Sequence, residues 1–229
     1  MLRKWEDLPA FMQSDEVRPY WERLWERRGQ LVLKRIFDFY LGIILFILLS
    51  IPMAFIALLI KIEDSGAIFY RQERITAYGR RFKIHKFRTM IISKDNCDTA
   101  ITVKDDPRVT RVGRRLRRFK LDELPQLIDV IIGDMSFVGT RPEIVKYVDQ
   151  YMPEYYATLL LPAGITSEAS IRYQNEADLL DSVSDVDKVY MEKILPAKMK
   201  LNLKCIRRFS LLRDIITMLH TIISVLRKE

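Results

Sequence analysis

Two adjacent carboxylates follow a dense run of cations near the middle of the chain. Asp122 and Glu123 lie in the segment LDELPQ, and the preceding residues 104–120 contain eight Lys or Arg against two Asp. Carboxylates hold Mg²⁺ or attack phosphorus, and cations neutralise the charge of phosphate groups. This constellation predicts phosphoryl chemistry. The alternative, which spacing alone leaves open, is that the two carboxylates only balance the charge of the arginines.

Many of the cations lie on one face of a predicted helix that begins near Val109. Four of them recur at helical spacing, namely Arg111, Arg114, Arg115 and Arg118. Their forked guanidinium groups match phosphate oxygens, so this face is interpreted as a phosphate-binding surface. A face turned to solvent or to lipid headgroups is the alternative.

A glycine-bracketed stretch supplies a further arginine. Residues 133–143, GDMSFVGTRPE, follow an apolar helix predicted over residues 124–132. Two glycines and a proline predict a rigid loop that offers Arg141 to an anion. A plain turn between two helices is the alternative, and it would not need the arginine.

The composition of the chain narrows the class of protein, the kind of partner and the kind of site. The chain of 229 residues is 49% hydrophobic and 30% charged, which fits one globular domain rather than a polytopic membrane protein. Its net charge of +8 indicates an anionic partner: nucleic acid, lipid headgroups or phosphorylated substrates. The only histidines are His85 and His220, which leaves little material for a histidine-built metal site or a Ser-His-Asp triad.

One segment is long enough to cross a bilayer. Residues 39–60 are 22 consecutive residues without a formal charge, and hydropathy alone favours a spanning helix. However, cations flank the segment on both sides. Ser50 and Pro52 stand at its midpoint, where proline removes an amide donor and kinks a helix. A helix bent there, entering and leaving through the same membrane face, is the alternative.

The surrounding elements are expected to be helical with one small hairpin. Residues 67–72 and 81–87 are β-prone and flank a turn at Gly79. The first 30 residues carry two tryptophans four apart, which predicts a short amphipathic helix on the membrane surface or packed on the domain. The apolar stripe of residues 211–226 predicts a helix at a core, an interface or a membrane.

Several motifs, in order, resemble the bacterial sugar transferase family, the monotopic phosphoglycosyl transferases. They are KRIFD at residues 34–38, FYRQER at 69–74, FKIHKFRTM at 82–90, DPRVTRVG at 106–113, LDELPQ at 121–126 and the segment 133–142. The resemblance covers roughly residues 31–226, and several motifs in one order make it specific.

The resemblance implies an α+β fold, mainly helical, with a small β-hairpin, one re-entrant membrane helix and interfacial amphipathic helices. We expect an amphipathic N-terminal extension over residues 1–30 and the bacterial sugar transferase domain over residues 31–229. Within it, residues 36–60 are expected to form the re-entrant helix, broken at its Ser50–Pro52 midpoint, and residues 61–229 the catalytic part. The implied location is the cytoplasmic face of the bacterial inner membrane, in contact with its lipids.

The resemblance also implies a two-step covalent mechanism. Asp122 matches the aspartate that attacks the β-phosphate of a UDP-sugar and releases UMP, after which polyprenyl (undecaprenyl) phosphate takes up the sugar phosphate. Glu123 matches a second carboxylate that assists through magnesium or proton handling, so Mg²⁺ is the expected cofactor with both carboxylates as ligands. The expected substrate-binding residues are Arg88, Arg111, Arg117, Arg141 and Pro142. Such enzymes start lipopolysaccharide, capsule, exopolysaccharide or other glycoconjugate synthesis.

The chain departs from the family pattern at three places. Ile51 separates the serine and proline of the helix break, and Thr140 replaces the first proline of a Pro-Arg-Pro motif. Residues 162–168, PAGITSE, stand where the family usually has Pro-Gly-Ile-Thr-Gly-Trp, so the identity of the sugar is left open.

Two rival functions are weighed against the transferase. A non-catalytic membrane scaffold in a polysaccharide-assembly complex would need the arginines but not Asp122. A nucleic-acid binder is disfavoured, because the chain has a lipid-length segment and no known nucleic-acid motif. Association as a homodimer is left open.

Overall fold

The computed structural model describes residues 2–91, 106–174 and 185–227. The fold is mainly helical with two two-stranded sheets, which confirms the α+β class. The α-helices are α1 (Arg18–Glu26), α2 (Arg28–Glu63), α3 (Arg111–Arg118), α4 (Gln126–Ile132), α5 (Val145–Val148), α6 (Glu168–Arg172), α7 (Val186–Val189), α8 (Leu195–Arg207) and α9 (Leu211–Leu226). The strands are β1 (Phe69–Ile75), β2 (Arg81–Phe87), β3 (Met135–Val138) and β4 (Ala163–Thr166).

The predicted hairpin is present. Strands β1 and β2 pair antiparallel with Phe69 opposite Phe87 and Ile75 opposite Arg81. Tyr78 and Gly79 close the turn with φ angles of 61° and 74°, a region that glycine enters without steric cost.

A second sheet takes one of its strands from the segment that was predicted to be a rigid loop. Strands β3 and β4 pair in parallel. Gly139, just beyond β3, lies directly against Gly164 within β4. A Cβ on Gly164 would lie 2.1 Å from the Gly139 nitrogen. The expectation of a rigid loop was wrong for residues 135–138, since a four-residue strand carries too little alternation to be detected.

The N-terminal residues belong to the main hydrophobic core. Tyr20 and Leu24 of α1 are 2% and 0% exposed, and they share a buried cluster with Met199 and Leu203 of α8. Of the two alternatives for this helix, the structure therefore supports packing on the domain. Trp21 is partly buried and packs against this cluster as well.

Helix α2 is one continuous helix of 36 residues, long and apolar enough to cross a membrane. It begins at Arg28, before the predicted start, and runs through Ser50 and Pro52, so the predicted break is not an interruption of helical structure. The physical reason is local: Pro52 lacks only one amide hydrogen bond, the one to the carbonyl of residue 48. The Ser50 hydroxyl donates to the Ile47 carbonyl at 2.7 Å.

The two ends of α2 attach to the same folded body. Near its start, Lys34 pairs with Asp214 of α9 at 2.7 Å, and the Ser136 hydroxyl donates to Asp38 at 2.7 Å. At its end, the Glu63 carboxylate accepts the backbone amide of Arg111 at the start of α3 at 2.8 Å. One face of α2 is exposed along the length of the helix, at Leu33, Ile36, Tyr40, Ile44, Ile47, Leu48, Ile51, Phe55, Leu58 and Ile62.

Helix α9 has its apolar side outward. Thr217 is its buried residue, and Thr221 forms a hydrogen bond of 2.7 Å with Thr166 of β4. The stripe that faces outward consists of Leu212, Ile216, Leu219, Ile222, Ile223 and Leu226. The stripe is therefore not part of the core, which leaves the interface and membrane alternatives.

Candidate active site

Both predicted carboxylates occupy one tight turn between α3 and α4. Residues Leu121–Glu123 form a single 3₁₀ turn, which follows Lys120 in the left-handed conformation at φ 56°. The turn places Asp122 and Glu123 inside the protein, where they are 8% and 9% exposed. Buried carboxylates need cationic or hydrogen-bonding partners, so their surroundings decide their chemistry.

Glu123 is held by two cations from distant parts of the chain. The Lys86 ammonium on β2 and the Arg141 guanidinium both donate to its Oε1 atom, at 2.8 and 2.9 Å. Burial alone would raise the pKa of Glu123, but Arg141 and Lys86 hold that pKa well below its ordinary value. Glu123 is therefore ionised, and its Oε1 atom is paired with both cations.

Asp122 differs from its neighbour. Its Oδ1 atom is buried and has no hydrogen-bond partner among the described residues. Burial and the adjacent Glu123 charge raise the pKa of Asp122, while Lys86, Lys120 and Arg117 oppose that rise. A carboxylate oxygen among cations whose lone pairs are not used in hydrogen bonds is chemically suited to attack phosphorus or to ligate a metal.

Of the predicted substrate-binding residues, Arg141 and Arg117 lie near the carboxylates. Arg117 donates through Nε to the Thr89 hydroxyl at 2.8 Å, and its charge lowers the pKa of Asp122. Pro142 contributes its carbonyl to Arg74 at 3.2 Å, which fixes the loop that carries Arg141.

The other two predicted residues are engaged elsewhere. Arg88 is buried and pairs with Asp64 at 2.7 Å. Arg111 has an exposed side chain, and its backbone amide donates to Glu63. The structure therefore does not bring Arg88 or Arg111 into contact with Asp122 or Glu123.

The face of α3 presented to the carboxylates is not the predicted cationic stripe. The four stripe arginines, Arg111, Arg114, Arg115 and Arg118, are exposed, in agreement with the solvent or headgroup alternative. Gly113 lets α3 approach the hairpin, because a Cβ there would lie 2.2 Å from the Thr89 carbonyl oxygen. This close approach is what brings Arg117, which lies outside the stripe, beside Asp122.

Lys86 is a site residue that the sequence reasoning missed. It stands in the FKIHKFRTM motif, and its side chain lies against Glu123, whose charge opposes the lowering of the Lys86 pKa by burial. The one signal in the sequence that could have indicated Lys86 was its position within a strand expected to be half-buried. Its partner is 37 residues away in the chain, so spacing could not reveal the pair.

The residues fit a magnesium ion that binds together with substrate. Among the residues that the structure describes, no group of three or more His, Cys, Asp or Glu is assembled as a complete metal cage. Oδ1 of Asp122, which has no hydrogen-bond partner in the described ranges, and the neighbouring Glu123 carboxylate offer oxygen ligands. Mg²⁺ commonly takes one or two carboxylates and completes its shell with water and substrate phosphates.

Paired carboxylates among cations, beside helices with exposed apolar faces, define a membrane-associated enzyme of phosphoryl chemistry. The chain belongs to the bacterial sugar transferase family, which residues 29–228 match. It is a phosphoglycosyl transferase.

Named relatives are similar over most of the chain. One, 36% identical over 199 residues, is a UDP-glucose:undecaprenyl-phosphate glucose-1-phosphate transferase of Caulobacter vibrioides, and the match covers 86% of this chain and 70% of that protein. The exopolysaccharide production protein PSS of Rhizobium leguminosarum bv. phaseoli is 38% identical over 62% of this chain and 74% of its own. An Escherichia coli UDP-glucose:undecaprenyl-phosphate glucose-1-phosphate transferase is 36% identical over 80% of this chain, which spans only 38% of that protein.

Proposed function

We propose that the protein transfers a sugar 1-phosphate from a UDP-sugar to polyprenyl phosphate, with release of UMP, through a covalent intermediate on Asp122. The observation that carries this proposal is the contrast between the two carboxylates. Lys86 and Arg141 both donate to Glu123, whereas a buried oxygen of Asp122 has no hydrogen-bond partner among the residues that the structure describes. The names of the relatives support the two substrates.

In the first step the Asp122 carboxylate attacks the β-phosphorus of the UDP-sugar. A bond forms between a carboxylate oxygen of Asp122 and phosphorus, and the bond from that phosphorus to the bridging oxygen breaks. UMP leaves with the bridging oxygen and its electron pair. Arg117, Lys86 and Arg141 offset the charge of the diphosphate, which would otherwise repel an anionic nucleophile.

In the second step a phosphate oxygen of the polyprenyl phosphate attacks the same phosphorus. The bond to Asp122 breaks, the carboxylate is regenerated, and the product is a polyprenyl diphosphate sugar. Dividing the transfer in this way lets a soluble donor and a lipid acceptor use one site in turn.

Glu123 supports Asp122 in two ways. It fixes Arg141 and Lys86 beside the reacting phosphate, and its own charge makes Asp122 more basic. Asp122 and Glu123 are the residues that would hold Mg²⁺. When bound, the ion supplies charge neutralisation for the diphosphate and the departing UMP.

The membrane placement proposed is re-entrant rather than spanning. Both ends of α2 are held by the same folded body, through Lys34 and Asp38 at one end and Glu63 at the other. A helix with both ends so held does not carry its N-terminus to the far side of a bilayer. The exposed apolar faces of α2 and α9 would enter the cytoplasmic leaflet. The site would then face the cytoplasm, where nucleotide-sugars are available.

UMP release tests this function. Purified protein with Mg²⁺ and undecaprenyl phosphate is expected to release UMP from at least one donor in a series that includes UDP-glucose and UDP-N-acetylgalactosamine. A non-catalytic scaffold would release none from any donor. Detection of the lipid-linked sugar confirms that the released UMP comes from transfer. The supported role is initiation of a surface polysaccharide or glycoconjugate.

A further inference from the structure

A buried polar cluster begins two residues after Arg141, and the chemistry above does not use it. The Tyr190 hydroxyl donates to the Glu143 carboxylate at 2.6 Å. The Lys198 ammonium donates to the same hydroxyl at 3.2 Å and lies 3.9 Å from that carboxylate. All three residues are at least nine-tenths buried. We call Glu143, Tyr190 and Lys198, together with Arg74, the Glu143 cluster.

The cluster clamps the backbone of the loop that carries Arg141. Arg74 donates to the Pro142 carbonyl at 3.2 Å, and the amide of Ile75 donates to the Glu143 carbonyl at 2.9 Å. Two consecutive carbonyls of the loop are therefore tied to the end of β1. The Glu143 side chain is tied to residues from the C-terminal part of the chain.

The partners from the C-terminal part lie on two elements. Tyr190 begins a π-helical turn, Tyr190–Ile194, and its ring packs on Tyr147 with 4.8 Å between centroids. Lys198 is on α8. π-Helical turns are rare and often occur at functional sites. Here Tyr190 is directed at Glu143.

Because the Glu143 cluster is buried, the loss of one member removes a hydrogen-bond or charge partner from the others. Removing one partner of a buried charge leaves the other without compensation, which is costly, so the loop is expected to move when Tyr190 or Lys198 is lost. Arg141 itself is partly exposed, with 36% of its side chain accessible, and surface side chains depend on their backbone for position. The Glu143 cluster thus controls where the Arg141 guanidinium can reach.

We propose that Tyr190 and Lys198 are positioning residues for Arg141 and thereby set the affinity for the phosphate groups of the donor. The proposal rests on the proposed function for its substrate, a nucleoside diphosphate sugar. It assigns a role to a part of the chain far from the Asp122–Glu123 turn in sequence. Neither residue touches the reacting atoms.

Tyr190→Phe is the first test, and Tyr20→Phe is its matched control. Both substitutions remove one tyrosine-to-glutamate hydrogen bond from the same hydrophobic core, but the partner of Tyr20 is Glu154, which is not part of the site. Tyr190→Phe also removes an acceptor of the Lys198 ammonium. We expect it to raise the donor KM about 3- to 10-fold with kcat little changed, which corresponds to about 1 kcal/mol, the order of a hydrogen bond. Tyr20→Phe is expected to leave both constants unchanged.

Lys198 provides a second pair of variants in case Tyr190→Phe folds poorly. Lys198→Met is expected to raise the donor KM in the same way, whereas Lys198→Arg keeps the charge and should restore most of the affinity. A joint fall of kcat and stability in Tyr190→Phe and Tyr20→Phe alike, with no specific change in KM, would overturn the positioning role.

A readout that needs no substrate separates this inference from the proposed function. Phenylglyoxal modifies accessible guanidinium groups, and its rate at Arg141 can be followed by peptide mass spectrometry relative to exposed Arg18. We expect Tyr190→Phe and Lys198→Met to change the Arg141 rate by about 3-fold or more while Tyr20→Phe does not. If the wild type released no UMP from any UDP-sugar, the proposed function would fail, and an unchanged Arg141 rate would independently refute the positioning role.

Discussion

The Arg141 guanidinium donates to the Glu123 carboxylate at 2.9 Å, across 18 residues of chain. This contact joins the loop after β3 to the turn between α3 and α4, so the two segments form one site. It also distinguishes the two carboxylates, because Arg141 and Lys86 both donate to the same oxygen of Glu123. Within the described part of the chain, Asp122 is left as the carboxylate with an oxygen that has no hydrogen-bond partner.

Removal of the Arg141 guanidinium should weaken donor binding. Arg141→Ala is expected to raise the donor KM by an amount that corresponds to about 1.5–3 kcal/mol, the range for a hydrogen bond to a charged group. Arg141→Lys should recover only part of this, since an ammonium cannot reproduce the fork. Steady-state UMP release over a range of donor concentrations gives both constants. Arg18→Ala, at an exposed i,i+4 ion pair on α1, is the control. Wild-type kinetics for Arg141→Ala would remove this residue from the site.

Lys86 should control the acid side of the pH–rate profile. Burial and Glu123 raise the pKa of Asp122, and the Lys86 charge opposes that rise. Lys86→Met removes the opposing charge, so the pKa of Asp122 rises further and the ionised Asp122 carboxylate, the proposed nucleophile, is lost at a higher pH on acidification. The acid limb of kcat/KM should therefore move to higher pH. An acid limb that stayed in place or moved to lower pH would show that Lys86 does not act on the nucleophile.

The topology can be tested with a single cysteine. Ala10 is exposed, so Ala10→Cys in a background with Cys97 and Cys205 replaced by serine presents one reactive thiol. An impermeant maleimide should fail to label it in intact cells and should label it after permeabilisation. We expect the same result with Pro52→Leu added, because the attachments of Lys34 and Glu63 hold both ends of α2. Labelling without permeabilisation would refute the re-entrant placement.

The contact between β3 and β4 predicts a steric effect on stability. Gly164→Ala would place a Cβ 2.1 Å from a backbone nitrogen, which cannot be relieved by a side-chain rotation. We expect a loss of about 3 kcal/mol or more in the free energy of unfolding. Gly29→Ala is the matched control, since nothing lies within 4 Å of a Cβ at that position. Thermal unfolding of the two variants side by side measures the difference, and equal Tm values would contradict the close packing.

The features that depend on local spacing could be predicted from the sequence. The Asp122–Glu123 pair, Arg141 and the apolar helix were predicted from adjacent residues, and the family resemblance supplied their roles. Lys86 could not be predicted, because its place in the site depends on the packing of β2 against the turn at Leu121–Glu123. Spacing also could not decide which way the apolar stripe of α9 faces, because such a stripe has the same period whether it faces a core or the outside.

The covalent role of Asp122 is tested most directly by intact-protein mass spectrometry. Purified protein is mixed with Mg²⁺ and UDP-glucose or UDP-N-acetylgalactosamine without a lipid acceptor, and the reaction is quenched with acid. The wild type is expected to gain the mass of one sugar phosphate, and undecaprenyl phosphate added before the quench should remove it. Asp122→Asn should show neither the adduct nor turnover. An Asp122→Asn protein of verified sequence that kept appreciable wild-type activity, or still formed the adduct, would contradict the account.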